Sequence, residues 1–274
     1  NENYARELLE LHTLGVHGGY DQRDVMEAAR CLSGWTYGHD WRRLRTSEVA
    51  FDPSRHDGGE KEVLGVRIPA GGGAEDLERL LDVVCGHPST ARHLAAKLCA
   101  SFISDPAPSA AVAAVAEAFT STDGAIAPTV RATLARPEFA DARGRLFKRP
   151  LRFVVSALRA TDAHTDGGVA LDRQLRRMGH APFEYPSPDG YPRDAAPWMG
   201  SLLWRWNFAI DLARGGIDGT SVDASELVDR FGDADALARH VLGRRPDPVE
   251  AAAFEGLGRD GLALALASPA FQWH

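Results

Sequence analysis

Apolar side chains recur along this chain at intervals of three and four far more often than at every second position, and that spacing predicts helices. Between Glu2 and Leu14, the residues Tyr4, Leu8, Leu11 and Leu14 recur at helical spacing, while Glu2, Arg6 and Glu10 form a charge ladder on another side. Gly15 ends that helix. After Gly18-Gly19, Asp21 is placed to cap a second helix with Asp24 in the capping-box position, running through Val25, Ala28, Ala29 and Leu32 to Gly34. Further helices are expected at about 74–85, 89–103, 109–120, 126–135, 149–162 and 169–179, each bounded by Pro, Gly, Ser or Asp. Past a loop rich in proline and glycine at 181–197, a helix through Leu202, Leu203, Trp206, Ile210 and Leu212 leads to shorter segments ending near Ala267.

Strand signal is confined to one place. Val49-Ala50-Phe51 and Val63-Leu64-Gly65-Val66 flank Asp57-Gly58-Gly59, where glycines supply the positive φ a reversal needs, so a small hairpin insertion is expected over about 47–68. The expected fold is therefore mainly α, a multi-helix bundle with one small β-hairpin, in a single helical domain over 1–274. Gly71-Gly72-Gly73 lacks the Lys-Ser/Thr of a phosphate loop and reads as a flexible connector.

Composition narrows the functional classes. With 274 residues, 44% of them hydrophobic, the chain is long enough for a substantial core. A formal net charge of -7 gives no general electrostatic reason to bind nucleic acid. No stretch approaches the ~20 apolar residues of a membrane-spanning helix. The cations are nearly all arginine, the lysines being only Lys61, Lys97 and Lys148, a bias that reads as genomic rather than functional. Cys31, Cys85 and Cys99 lack CxxC spacing and lie in apolar-periodic sequence, where free cysteine behaves as a small buried hydrophobe. The chain opens at Asn1, already inside a helical pattern, so the expectation is the C-terminal portion of a larger protein whose N-terminal portion is its first partner.

Three places carry candidate chemistry. Asn3, Glu7 and Glu10 share a side of the first helix, where two carboxylates are placed to share a metal or a proton; solvation or arginine pairing is the plainer reading. His56 and Lys61 bracket the turn Asp57-Gly58-Gly59, which sets an imidazole and an ammonium together in a loop. The stretch Pro182 to Pro192 is aromatic, acidic and stiffened by proline. It offers Glu184, Tyr185, Asp189 and Tyr191, with Trp198 beyond, either as a binding loop or as a clasp over the helices. No GxSxG elbow, HExxH helix or EF-hand loop appears, and the pattern names no cofactor or metal.

The opening segment, Asn1-Glu2-Asn3-Tyr4-Ala5-Arg6-Glu7-Leu8-Leu9-Glu10-Leu11-His12-Thr13-Leu14-Gly15, closely resembles the signature of a bacterial family called domain of unknown function 1800. The resemblance continues in order through Asp24 to Trp35, Phe51 to Gly65, His87 to Pro106, Lys148 to Ala160, Met178 to Ala209 and the closing Ser268 to Gln272. His180 stands where the family usually has Gln, and Tyr191 where it usually has Trp. The resemblance implies a helical protein, often exported and often encoded beside a sulfatase-like partner, with a further N-terminal portion and no established activity. Two functional readings stand open: an exported accessory or binding module, and a metal-dependent or general acid/base hydrolase of a polymer or glycan that uses Glu7, Glu10 and His56.

Overall fold

A computed structural model of the protein describes residues 1–37, 49–254 and 258–274. It is mainly helical as expected, with fourteen α-helices and three two-stranded antiparallel ladders among the described residues. Backbone contacts divide the chain into two compact units, Asn1–Ala140 and Asp141–His274.

In the first unit, α1 (Glu2–Glu7) runs directly into a π-helical turn, Leu8–Thr13. The Leu14 amide donates back five residues to the Leu9 carbonyl over 2.8 Å, and the wider turn rotates the buried side. Ala5, Leu9 and Leu14 are buried, whereas Tyr4 of the expected stripe is exposed. The Leu11 carbonyl is taken by a later helix, accepting from Lys97 Nζ at 3.1 Å and facing His93 Nε2 at 3.3 Å. Helix α2 (Gln22–Cys31) starts in the expected capping box: Asp21 accepts from the amides of Arg23 and Asp24, and Asp24 accepts from the Asp21 amide.

The β structure differs from expectation. Strand β1 (Trp35–Tyr37) pairs with β2 (Val49–Phe51), and β3 (Lys61–Val63) pairs with β4 (Val66–Ile68). The hairpin therefore turns at Leu64-Gly65, whose φ values of 52° and 75° suit a two-residue primed turn, rather than at Asp57-Gly58-Gly59. Residues 47 and 48 of the expected hairpin lie outside the described residues. Leucine is an uncommon residue at positive φ. Its amide donates to Asp24 Oδ1 over 2.6 Å, and the Glu62 amide donates to Glu27 Oε2, so the capped helix fixes the hairpin.

Helices α3 (Glu75–Cys85), α4 (Pro88–Phe102), α5 (Ser109–Ser121), α6 (Ile126–Leu134) and α7 (Pro137–Ala140) complete the unit close to the expected bounds. Leu80 and Val84 of α3 join Leu9, Val25, Val63 and Ile68 in one core. Cys31 and Cys99 are buried as expected. Cys85 is exposed, because it lies off the Leu80–Val84 side of α3.

The second unit contains α8 (Pro150–Ala160), β5 (His164–Thr165), α9 (Val169–Arg177), α10 (Leu202–Arg214), β6 (Thr220–Ser221), α11 (Ala224–Phe231), α12 (Ala234–Leu242), α13 (Pro248–Phe254) and α14 (Gly258–Ala267). The β5–β6 ladder, two residues long and carrying no alternation, was not expected. At the centre, Phe153 meets Phe208 and Phe271 edge-on at 5.6 and 5.8 Å, rings whose burial stabilises by roughly 1.5–3 kcal/mol each. The buried side of α10 is Arg205, Phe208, Ala209 and Leu212; Leu203, Trp206 and Ile210 of the apolar pattern face outward. Arg205 is wholly buried. It donates to Ser201 Oγ, the Lys148 carbonyl and Gln272 Oε1, lies over the rings of Phe147 and Phe153, and among the described residues has no carboxylate partner.

Candidate functional site

The chain between β2 and β3 is drawn inward onto a single carboxylate. Lys61 Nζ lies 2.6 Å from Asp76 Oδ2 and donates to the carbonyls of Asp57 and Gly59 at 2.5 and 2.9 Å. Three donors thus meet three acceptors, which satisfies the ammonium. His56 Nε2 stands 3.2 Å from the same Asp76 oxygen, and its Nδ1 is 2.8 Å from the Ser33 carbonyl. The side chains of Lys61 and Asp76 have no exposed surface, and that of His56 has 4%. Phe51 covers the imidazole at 5.3 Å between ring centres.

Glycines let these groups approach. A Cβ on Gly72 would fall 2.0 Å from Asp76 Oδ1, and one on Gly34 would meet Phe51, the Asp52 carbonyl and His56 within about 3.0 Å. The Gly71 amide donates to the Gly58 carbonyl over 2.9 Å, so the glycine run is a fitted piece of the site. Outside the buried group, Arg30 grips Asp57 through Nε at 2.8 Å and Nη2 at 3.1 Å while pairing with Glu27. Those hydrogen bonds hold the Asp57 carboxyl well below the usual carboxylate range. Burial pushes the nearby Cys31 thiol up to about 11, which keeps it protonated and unreactive at neutral pH.

The structure brings His56 and Lys61 together but not with the first-helix carboxylates. Glu10 receives the Tyr20 hydroxyl over 3.5 Å, and neither Glu7 nor Glu10 shares a hydrogen bond or ion pair with His56 or Lys61. Among the described residues, no group of three His, Cys, Asp or Glu side chains is placed to hold a metal ion. Asp76, the hub of the buried group, went unnoticed in the sequence because it sits between Glu75 and Glu78 in the acidic first turn of α3. Acids there are ordinary helix-dipole partners, so its pattern carries no separate signal.

In the second unit, the stretch 182–192 folds against a row of rings. Tyr185 packs on Tyr191 at 4.5 Å, Tyr191 on His180 at 4.2 Å, and His180 stacks on Trp198 at 5.3 Å. The row is pinned: the Tyr191 hydroxyl donates to the Ala181 carbonyl, and Trp198 Nε1 donates to the Pro192 carbonyl. The His180 Nδ1 accepts from the Leu151 amide at 3.4 Å, while burial and then the charges of Arg149 and Arg205 push the imidazole down to about 4. It is neutral at physiological pH.

Of the five residues marked in this stretch, Tyr191 and Trp198 form the pinned row, and Glu184 forms a bidentate pair with Arg176 at 2.5 Å. Tyr185 closes the row with its outer side exposed, and Asp189 is exposed. The sequence pattern does not mark Phe183, whose ring is 105% exposed on a backbone φ of 62°. Beside it in the fold, Arg176 reaches the loop while its neighbour Arg177 lies over the exposed Trp204 ring at 5.4 Å.

A family model described as "Protein of unknown function (DUF1800)" matches residues 1–273. No curated protein and no solved structure matches the chain.

Proposed function

The chain belongs to the DUF1800 family, and we propose that it is an accessory module that acts by binding, with the loop at 182–192 as its recognition surface for a glycan-bearing polymer. The observation that carries this reading is Phe183, a bulky ring wholly in solvent on a left-handed backbone. Such a conformation costs on the order of 1–3 kcal/mol and serves no packing in the free protein. Rigid aromatic faces set among planar charged groups, here Arg176–Glu184 and Arg177 over Trp204, suit the alternating apolar and hydroxyl faces of sugars. Export of the module is proposed on the family resemblance alone.

The hydrolase reading finds less support. His56 and Lys61 have their polar atoms engaged and no open side for a substrate. Co-sedimentation of the full chain with chitin, cellulose and peptidoglycan tests the binding proposal. Retention on one of them, weakened about tenfold or more by Phe183→Ala and Tyr185→Ala, is expected. Absence of retention on all three, or equal retention by the variants, rules the proposal out.

A further inference from the structure

The second unit holds a cavity of about 740 Å³, walled by α8, the end of α12 and the closing residues 270–274. Its lining is cationic: Arg143, Lys148, Arg152, Arg159 and Arg244, with His240 and His274 beside them. Among the described residues, no Asp or Glu lines it. Arg244 is paired with Glu250 at 2.7 Å, but among the described residues the side chains of Arg143 and Arg159 form no ion pair or hydrogen bond, and that of Arg152 donates only to His274 Nε2 at 3.1 Å.

Lys148 decides what this cluster is for. The residue is 7% exposed, yet among the described residues its Nζ has no hydrogen-bond acceptor and no counter-ion; it lies 3.6 Å above the Phe271 ring, which also lines the cavity. Contact with a ring face returns only part of an ammonium's lost hydration, and a buried cation without a partner is strongly disfavoured. Burial alone drives the amine down to about 8. Solvated surface arginines carry no such penalty, so the lysine marks the cluster as built around something negative.

We propose that this cavity binds an oxyanion, the phosphate or sulfate group of a small molecule, with Lys148, Arg152 and Arg159 as its ligands. Arg152 and Arg159 lie on one side of α8 at seven-residue spacing, and Lys148 stands two residues before the helix begins, so the helix and the segment leading into it supply three donors. Charge-assisted hydrogen bonds from such groups are the strong ones. The volume fits a small ligand, and the chain's net charge of -7 disfavours a long polyanion. The site is distinct from the aromatic surface, and each reading survives failure of the other.

Calorimetric titration of the full chain with sodium sulfate and with sodium phosphate, against sodium chloride at matched ionic strength, tests the site. Saturable binding of either oxyanion is expected, weakened about tenfold or more in Lys148→Met and in Arg159→Gln. Lys148→Met removes an unpaired buried charge, so it is expected to fold and, without anion, to melt no lower than the parent. Arg159 is exposed, which makes Arg159→Gln a second probe that leaves the core untouched. Binding of both anions points to the shared tetrahedral group, and binding of one names the ester class. Heats no different from chloride, or oxyanion binding of equal strength in the parent and both variants, would overturn the proposal.

Discussion

Lys61 and Asp76 meet at 2.6 Å with neither side chain touching solvent, the one drawn from the start of a hairpin strand and the other from the first turn of a helix. A pair of that kind is held by mutual need more than by net gain, since each ion lost several kcal/mol of hydration on burial. Removing one partner therefore costs far more than removing both. Asp76→Asn is expected to lower the unfolding free energy by about 3–5 kcal/mol, whereas Lys61→Met combined with Asp76→Leu stays within about 1–2 kcal/mol of the parent. Urea unfolding of the three proteins checks this, and a double variant that loses as much stability as Asp76→Asn, or more, would contradict the coupling.

Gly72 lies against the second oxygen of the same carboxylate, which among the described residues has no hydrogen-bond partner and stands 3.8 Å from Arg79 Nη1. Gly72→Ala places a methyl where that oxygen sits, so Asp76 must move and strain its bond to Lys61. A loss of about 1–3 kcal/mol is expected. Full stability in this variant would mean that the segment yields and that the clamp is loose.

His180 titrates at about 4 in the folded chain against about 6.5 when unfolded. Between those values the unfolded chain binds the extra proton, so this group's contribution is fully present above pH 6.5 and is lost as pH falls towards 4. The loss is at most about 3 kcal/mol. His180→Gln keeps an acceptor for the Leu151 amide and does not titrate. Its stability relative to the parent is expected to improve on acidification from pH 7 to 4.5, as followed by thermal melts. A constant difference across that range would contradict the buried neutral imidazole.

Much of the helical frame was legible because helix-forming stripes and their Pro, Gly and Asp boundaries are local signals; α3, α4, α5 and α6 begin and end within about two residues of expectation. What escaped was set by tertiary contact. The π-helical turn after Glu7 changes which residues face inward, and nothing in Leu8 to Thr13 announces the wider register. The hairpin turn was placed at Asp57-Gly58-Gly59 because those residues favour reversals, whereas the pairing of Val63 with Val66 puts it at Leu64-Gly65, a leucine that α2 holds in place. In α10 the inward side includes Arg205, so an apolar count selects the wrong face. The lysines carry a signal of their own. In a chain so poor in lysine, Lys61 and Lys148 are buried, and Lys97 binds a helix carbonyl freed by the π turn.

Lys148 offers an alkaline counterpart to His180. With the folded amine at about 8 and the unfolded one near 10.4, the unfolded chain holds more protons between those values, and stability gains as pH rises through that window. Lys148→Met lacks the effect, so its advantage over the parent is expected to shrink by up to about 3 kcal/mol between pH 7.5 and 10. Other groups that titrate there are common to both proteins and cancel in the comparison. An unchanging difference would mean that the amine is solvated or paired.

The division of labour between a structural clamp in one unit and a recognition surface in the other is tested most directly by glycan retention of the folded Lys61→Met, Asp76→Leu protein beside that of Phe183→Ala. Parent-like retention in the first and a drop of about tenfold or more in the second are predicted. The reverse, a folded double variant that no longer binds while Phe183→Ala binds normally, would place function at the buried carboxylate and contradict the account.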